Sequence, residues 1–131
     1  MENCIFCSLP QQVIIAENDL AVAIYDKYPV NPGHTLIIPR RHYSSYFDIT
    51  ETELLALHRL ILDVKRILDT NYKPDGYNIG VNVGGCAGQV IWHVHLHVIP
   101  RFEGDSPRPG GLRRVKRPVT PWSVEAEEES V

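Results

Sequence analysis

The chain lacks any apolar run approaching the roughly 18 residues of a membrane span, so no spanning helix is expected. It also lacks a strong charge of either sign. Lys and Arg number 13 against 16 Asp and Glu, a formal net of -3, which gives no overall reason to expect nucleic acid or a membrane surface as partner. Cysteine is sparse, and its count of three is odd, which argues against a disulfide framework. Met1-Glu2-Asn3-Cys4 shows no basic stretch leading into an apolar one, the mark of a secretory leader. These absences together lead us to expect a cytoplasmic protein with reduced thiols. What is present is 131 residues with 44% apolar content, enough for one globular domain with a real core. There is no internal repeat and no sign of a second domain.

The most informative stretch is His93-Val94-His95-Leu96-His97-Val98-Ile99. Histidines alternate with branched apolar residues, the period-2 pattern of a half-buried strand. Val94, Leu96 and Val98 are expected to face the core, with His93, His95 and His97 on the opposite face. Pro100 has no backbone donor, so the ladder is expected to stop there. Three imidazoles on one strand face contribute little to packing and suggest chemistry. A single metal held by all three conflicts with strand rise. The Cα atoms of His93 and His97 would lie roughly 13 Å apart, too far for tetrahedral ligation of one ion. Nucleophilic catalysis suits the spacing better. His95 and His97 would be about 6.6 Å apart at Cα, and a neutral imidazole can attack phosphorus if its other nitrogen holds the proton.

Upstream, Cys4-Ile5-Phe6-Cys7 is half a zinc site, a redox pair, or two incidental thiols. Leu9-Pro10 follows at once, which does not suit the helix of a redox motif, so zinc is favoured. The remaining ligands would be histidines or Cys86. Residues 13–16 and 20–25 are predicted to form a hairpin around Glu17-Asn18-Asp19. Asp26, just past a strand end, is either a turn-capping residue or a ligand. Residues 34–39 are predicted to form a third strand, ended by Pro39 and the basic pair Arg40-Arg41. Thr50 and Glu53 fit a capping box. Leu54, Leu57, Ile61, Val64 and Leu68 then mark an amphipathic helix to about Thr70, with His58 at its surface. Residues 76–83 are predicted as a fourth strand. Gly84-Gly85-Cys86-Ala87-Gly88 is a glycine-rich loop whose amides, with Gln89, would add donors where negative charge grows. From Arg101 to Pro118 there are six basic and two acidic side chains, followed by acidic Glu125 to Glu129. Residues 104–131 are taken as a loosely packed or disordered tail behind a domain spanning 1–103. The basic part of that tail is either a solvated charge run or an arm reaching a polyphosphate or a partner subunit.

Gly88-Gln89-Val90-Ile91-Trp92-His93-Val94-His95-Leu96-His97-Val98-Ile99-Pro100-Arg101 closely resembles the signature of the histidine-triad nucleotide-binding superfamily. Asn31-Pro32-Gly33-His34-Thr35-Leu36-Ile37-Ile38-Pro39 resembles its second landmark. The resemblance covers roughly residues 4–103. It implies an α+β fold with an antiparallel sheet of about five strands, one long helix and a short helix, in a two-fold dimer. The implied function is a nucleotide hydrolase or nucleotidyltransferase acting at the α-phosphate, on dinucleoside polyphosphates or nucleoside phosphoramidates.

Under this resemblance His95 is the nucleophile that becomes nucleotidylated, and His97 binds an α-phosphate oxygen. Gln89 and Asn82 add phosphate contacts. Asp26 accepts the ribose hydroxyls, Ile5, Phe6, Ile24 and Leu36 line an apolar base cleft, and His34 supports the triad. Relatives often carry Ser or Thr where this chain has Val90, which tilts the expectation from phosphoramidates towards polyphosphates. Bacterial-type members resemble this chain in an amino-terminal C-x-x-C that binds structural zinc with two histidines. The implied set is Cys4, Cys7, His93 and either His34 or His42, which bracket a strand and cannot both reach. The resemblance favours His42. The other readings are a nucleotide-binding or partner-interaction module with little catalysis, and a zinc-dependent structural adaptor. Trp122 is either part of an arm crossing a dimer interface or simply disordered.

Overall fold

The computed structural model of the protein describes residues 3–107, 110–114, 120 and 122. Five strands, β1 (Ile14–Glu17), β2 (Ala21–Tyr25), β3 (Thr35–Pro39), β4 (Gly76–Val81) and β5 (Leu96–Arg101), form one antiparallel sheet. Their order is β1-β2-β3-β5-β4. A single long helix, α1 (Glu51–Tyr72), covers one face. The expected α+β class, five-stranded sheet and long helix are all present. In place of the expected short helix, the described residues hold only brief 3-10 turns, such as Tyr46–Asp48 and Gly85–Ala87.

The β1–β2 turn closes on Asn18, whose side-chain oxygen accepts from the amides of Leu20 and Ala21 at 3.1 and 3.0 Å. That is a local mimic of a backbone turn. Helix α1 starts with the predicted capping box. The Thr50 hydroxyl accepts from the Glu53 amide at 3.1 Å, and the Glu53 carboxylate accepts from the Thr50 amide at 3.1 Å. The helix ends at Lys73 in the left-handed conformation (φ 51°), just before Pro74.

The buried stripe of α1 is Leu57, Leu60, Val64 and Leu68. Leu54 is 43% exposed and Ile61 only partly buried, so Leu60 replaces them in the predicted pattern. The displacement has a cause at Glu53, which turns inward to take a bidentate pair from Arg41 at 2.7 and 2.9 Å. Alternation then sorts the sheet into two layers. Ala21, Ala23, Ile37, Val94, Leu96 and Val98 pack on the helix. Val22, Ile24, Leu36 and Ile38 face the other way and are covered by Phe6 of the amino-terminal segment. Both faces of β2 and β3 are therefore dry, which accounts for their unbroken apolar character.

Two strand boundaries differ from expectation. Strand β4 stops at Val81 rather than Val83. Strand β5 does not stop at Pro100, which pairs with Tyr77, while Arg101 pairs with Gly76. The proline is tolerated because the edge on which it lacks a donor is already unpaired. The β3 ladder ends at Val98, and the Pro100 carbonyl on that side accepts instead from the Asn31 side chain at 2.9 Å. The same strand begins only at Leu96, so His93 and His95 precede its hydrogen-bonded part even though the predicted in–out alternation holds across them.

Candidate functional site: a histidine cluster beside a Cys/His cage

The amino-terminal turn, closed by the Cys7 amide donating to the Cys4 carbonyl at 3.2 Å, brings both thiols to His42 and His93. Cys4 Sγ lies 3.4 Å from His93 Nδ1, and Cys7 Sγ lies 3.3 Å from His42 Nδ1 and 3.6 Å from His93 Nδ1. The two Nδ1 atoms are 3.2 Å apart. Ligands around tetrahedral zinc, with bonds near 2.05 Å to nitrogen and 2.3 Å to sulfur, are separated by about 3.3–3.8 Å. The cage therefore fits zinc in both donor set and spacing. Its second layer is also in place, because His93 Nε2 donates to the Pro39 carbonyl at 2.7 Å and so presents Nδ1 as the free lone pair. Cys86 is exposed and outside the cluster. His34 is outside it too, which decides between the two candidate histidines in favour of His42. All four ligand atoms lie within 4.8 Å of one another.

His93 belongs to that cage, but its main chain reaches the next histidine. The ring of His95 donates from Nδ1 to the His93 carbonyl at 2.9 Å, which puts the lone pair of the neutral ring on Nε2. A second hydrogen-bond chain sets the neighbouring rings. The Val30 amide donates to His34 Nδ1 at 3.1 Å, so His34 carries its proton on Nε2 and gives it to His97 Nδ1 at 2.9 Å. His97 is then protonated on Nε2. Asp26 Oδ2 stands 3.4 Å from His34 Nε2, and its Oδ1 accepts from the Tyr28 amide at 2.8 Å. Burial pushes the pKa values of His34 and His97 below the usual histidine value, with Asp26 pulling the other way. For His97 the neighbouring His95 and His34 add to the lowering. His34 and His97 are thereby held as neutral rings, and His97 presents an N–H donor 5.3 Å between ring centroids from His95.

Of the other predicted residues, Gln89 is buried and fully engaged. Its amide nitrogen donates to the carbonyls of Ser44 and Ile91 at 2.7 and 3.1 Å, and its oxygen accepts from the Gly84 amide at 2.9 Å. It braces the glycine loop and has no hydrogen left over for a phosphate in this arrangement. Gly88 adopts φ +100°, and a Cβ there would sit 3.4 Å from the Asn82 side chain. Asn82 is exposed beside the loop. Phe6, Ile24 and Leu36 pack together, but Ile5 is 60% exposed and stands outside that cluster. Phe6 lays its ring edge-on against His95, with centroids 5.1 Å apart. Val90 and Trp92 are both exposed. His58 is exposed as expected.

Sequence reasoning missed the Glu53–Arg41 clamp and the Pro39 carbonyl behind His93. Their only signals were the capping box and the basic pair Arg40-Arg41. Trp122 is exposed, while Arg108, Lys116, Arg117 and the acidic end lie outside the described residues. No described helix is long and apolar enough to cross a membrane.

A five-stranded antiparallel sheet with one main helix, carrying alternating histidines next to a Cys/His cage, defines a small α+β histidine-cluster domain. The HIT domain family model matches residues 9–104, and the chain belongs to that family. An uncharacterized HIT-like protein of Saccharolobus solfataricus is 38% identical over 110 residues, which are 78% of this chain and 76% of that one. The AP-4-A phosphorylase of Mycobacterium tuberculosis is 34% identical over 107 residues, covering 77% of this chain and 55% of that enzyme. The crystal structure of a zinc-bound histidine triad family protein from Mycobacterium smegmatis superposes with a TM-score of 0.71 at 32% identity. That match covers 86% of each chain.

Proposed function

We propose that the protein cleaves or transfers a nucleotide at its α-phosphate through a nucleotidyl-His95 intermediate. The observation that carries this is the pair of fixed tautomers, His95 with Nε2 free to attack and His97 with Nε2–H ready to donate. In the first step His95 Nε2 bonds to the α-phosphorus while the bond to the leaving group breaks, and the departing oxygen takes the electron pair. The His93 carbonyl stabilises the positive charge that His95 then carries, through Nδ1–H. His97 stabilises charge on a non-bridging oxygen. In the second step water attacks phosphorus and sheds a proton to solvent, the P–N bond breaks with its electron pair returning to Nε2, and a nucleoside monophosphate leaves with neutral His95 restored; another acceptor in place of water gives transfer. Asp26 would take the ribose hydroxyls on release of its contact with His34, and the Phe6, Ile24 and Leu36 side the base. Similarity to AP-4-A phosphorylase supports dinucleoside polyphosphates over phosphoramidates, as does Val90.

Cys4, Cys7, His42 and His93 would hold zinc. A closed four-ligand site of that kind ties the amino-terminal turn to the body of the domain and takes no part in bond making. A two-fold homodimer and a cytoplasmic setting complete the reading.

Its test is to incubate the wild type and His95→Ala with diadenosine polyphosphates and nucleoside phosphoramidates. Wild type is expected to release nucleoside monophosphate and His95→Ala none; equal release would remove the mechanism. One observation favours a second reading, a nucleotide binder with little turnover. His95 is only 8% exposed with Phe6 against it, so Phe6 must yield before attack. An intact hydrolysable nucleotide in wild-type crystals after days of soaking would support that alternative.

A further inference from the structure

The sheet face carrying His97 continues past it, away from Phe6, into a cavity of about 870 Å³. Gly80 lies across from His97, and Asn78 across from Ile99, so these residues form one floor between β4 and β5. The chain returns over it at Gly110–Leu112. Arg101 closes the far end. Its guanidinium is committed to Asp105 at 2.7 and 2.9 Å and to the Asn78 side-chain oxygen Oδ1. Asp105 is itself held by Asn31 and by the Phe102 amide, each at 2.8 Å. The end wall is therefore formed before any ligand arrives, which lowers the cost of binding.

An α-phosphate seated between His95 and His97 has a nucleoside on one side and a leaving group on the other. Asp26 and the Phe6 cluster account for the first. The cavity is continuous with His97 and His34, and it is the space left for the second. Its volume falls within the range of about 300–1,000 Å³ of small-molecule sites. An ammonia or a single phosphate would leave nearly all of it to water, whereas it has room for a nucleoside together with its share of the polyphosphate chain. The lining also suits a base. Arg101 holds the Asn78 side-chain oxygen, which orients the amide NH₂ edge along the cavity floor. Carboxamides recognise base edges through such donors. Ile99 supplies an apolar floor, and Leu112, 87% exposed at the rim, has an apolar surface to bury. A Cβ built on Gly80 meets nothing within 4 Å, so the floor beside His97 is open.

The geometry points to a second nucleoside subsite in this cavity, so that a dinucleoside polyphosphate spans both halves of the face with its scissile phosphate at His95. This rests on the α-phosphate reading of His95 and His97. The test compares binding, by titration calorimetry, of methylene-bridged diadenosine tetraphosphate with that of adenosine tetraphosphate bridged in the same way. Wild type is expected to bind the dinucleoside at least tenfold more tightly. Gly80→Leu, which fills the floor, and Asn78→Ala, which removes the base donor, should each reduce that preference below threefold. Equal wild-type affinities overturn the subsite, as does a preference that survives in both variants. If the preference appears and is lost as expected, but the unbridged dinucleotide gives no nucleoside monophosphate, the catalytic reading fails and the subsite stands.

Discussion

Replacing Glu53 with Gln removes one charge from a place where the structure uses it twice. The carboxylate takes Nε and Nη2 of Arg41, and it caps α1 through the Thr50 amide. Glutamine keeps the capping geometry and loses the ion pair, so the substitution isolates the clamp on Arg41, the residue before His42 of the Cys/His cluster. Hydrogen bonding from Arg41 brings the Glu53 pKa down from 4.5 to about 2, against burial, which pulls it up. A carboxyl so depressed is worth about 3 kcal/mol at neutral pH. Arg41 is 48% exposed, and solvent screening on its side reduces the expected loss to about 2 kcal/mol. Because the folded-state pKa is the lower one, this stability is complete above pH 4.5 and is lost as pH falls from 4.5 towards 2. Urea unfolding of both proteins at matched pH reads it directly. The gap between wild type and Glu53→Gln should be about 2 kcal/mol at pH 7 and shrink by about half at pH 3. A gap below about 0.5 kcal/mol at pH 7, or one that acid leaves unchanged, would refute the account of the clamp.

Stripping metal with a chelator should lower the melting temperature by about 15 °C or more. A ligand at 1,000 times its Kd contributes about 4 kcal/mol, and each kcal/mol moves a chain of this size by about 4 °C. An unchanged melt with no zinc by elemental analysis would end the zinc assignment. Gly33→Ala should cost about 2–4 kcal/mol, from left-handed strain at φ +87° and a Cβ forced to 3.0 Å from Tyr72 and 3.1 Å from Pro100. Calorimetric melting within 3 °C of wild type would contradict that packing.

Much of this protein is legible in its sequence. Alternation around the histidines put Val94, Leu96 and Val98 in the core, and the capping box located the start of α1. Both signals are local, since a period or a cap is written within a few residues. The C-x-x-C likewise announced half a cage, but the rest of the cage was not local. His42 and His93 lie 35 and 86 residues from Cys7, and only the return of β3 and the entry to β5 brings them to the thiols. The same holds for Pro100, whose place inside β5 depends on how far the neighbouring β3 ladder extends. It holds for Gln89, whose amide is spent on Ser44 and Ile91. The sequence by itself determined which residues can do chemistry and which face of each element is apolar, because side-chain type and backbone period are properties of neighbouring positions. The tertiary structure alone decided the tautomer of His97 and the cavity beside it, because His34, the partner that fixes which ring nitrogen of His97 keeps the proton, lies 63 residues away and is met only across the fold.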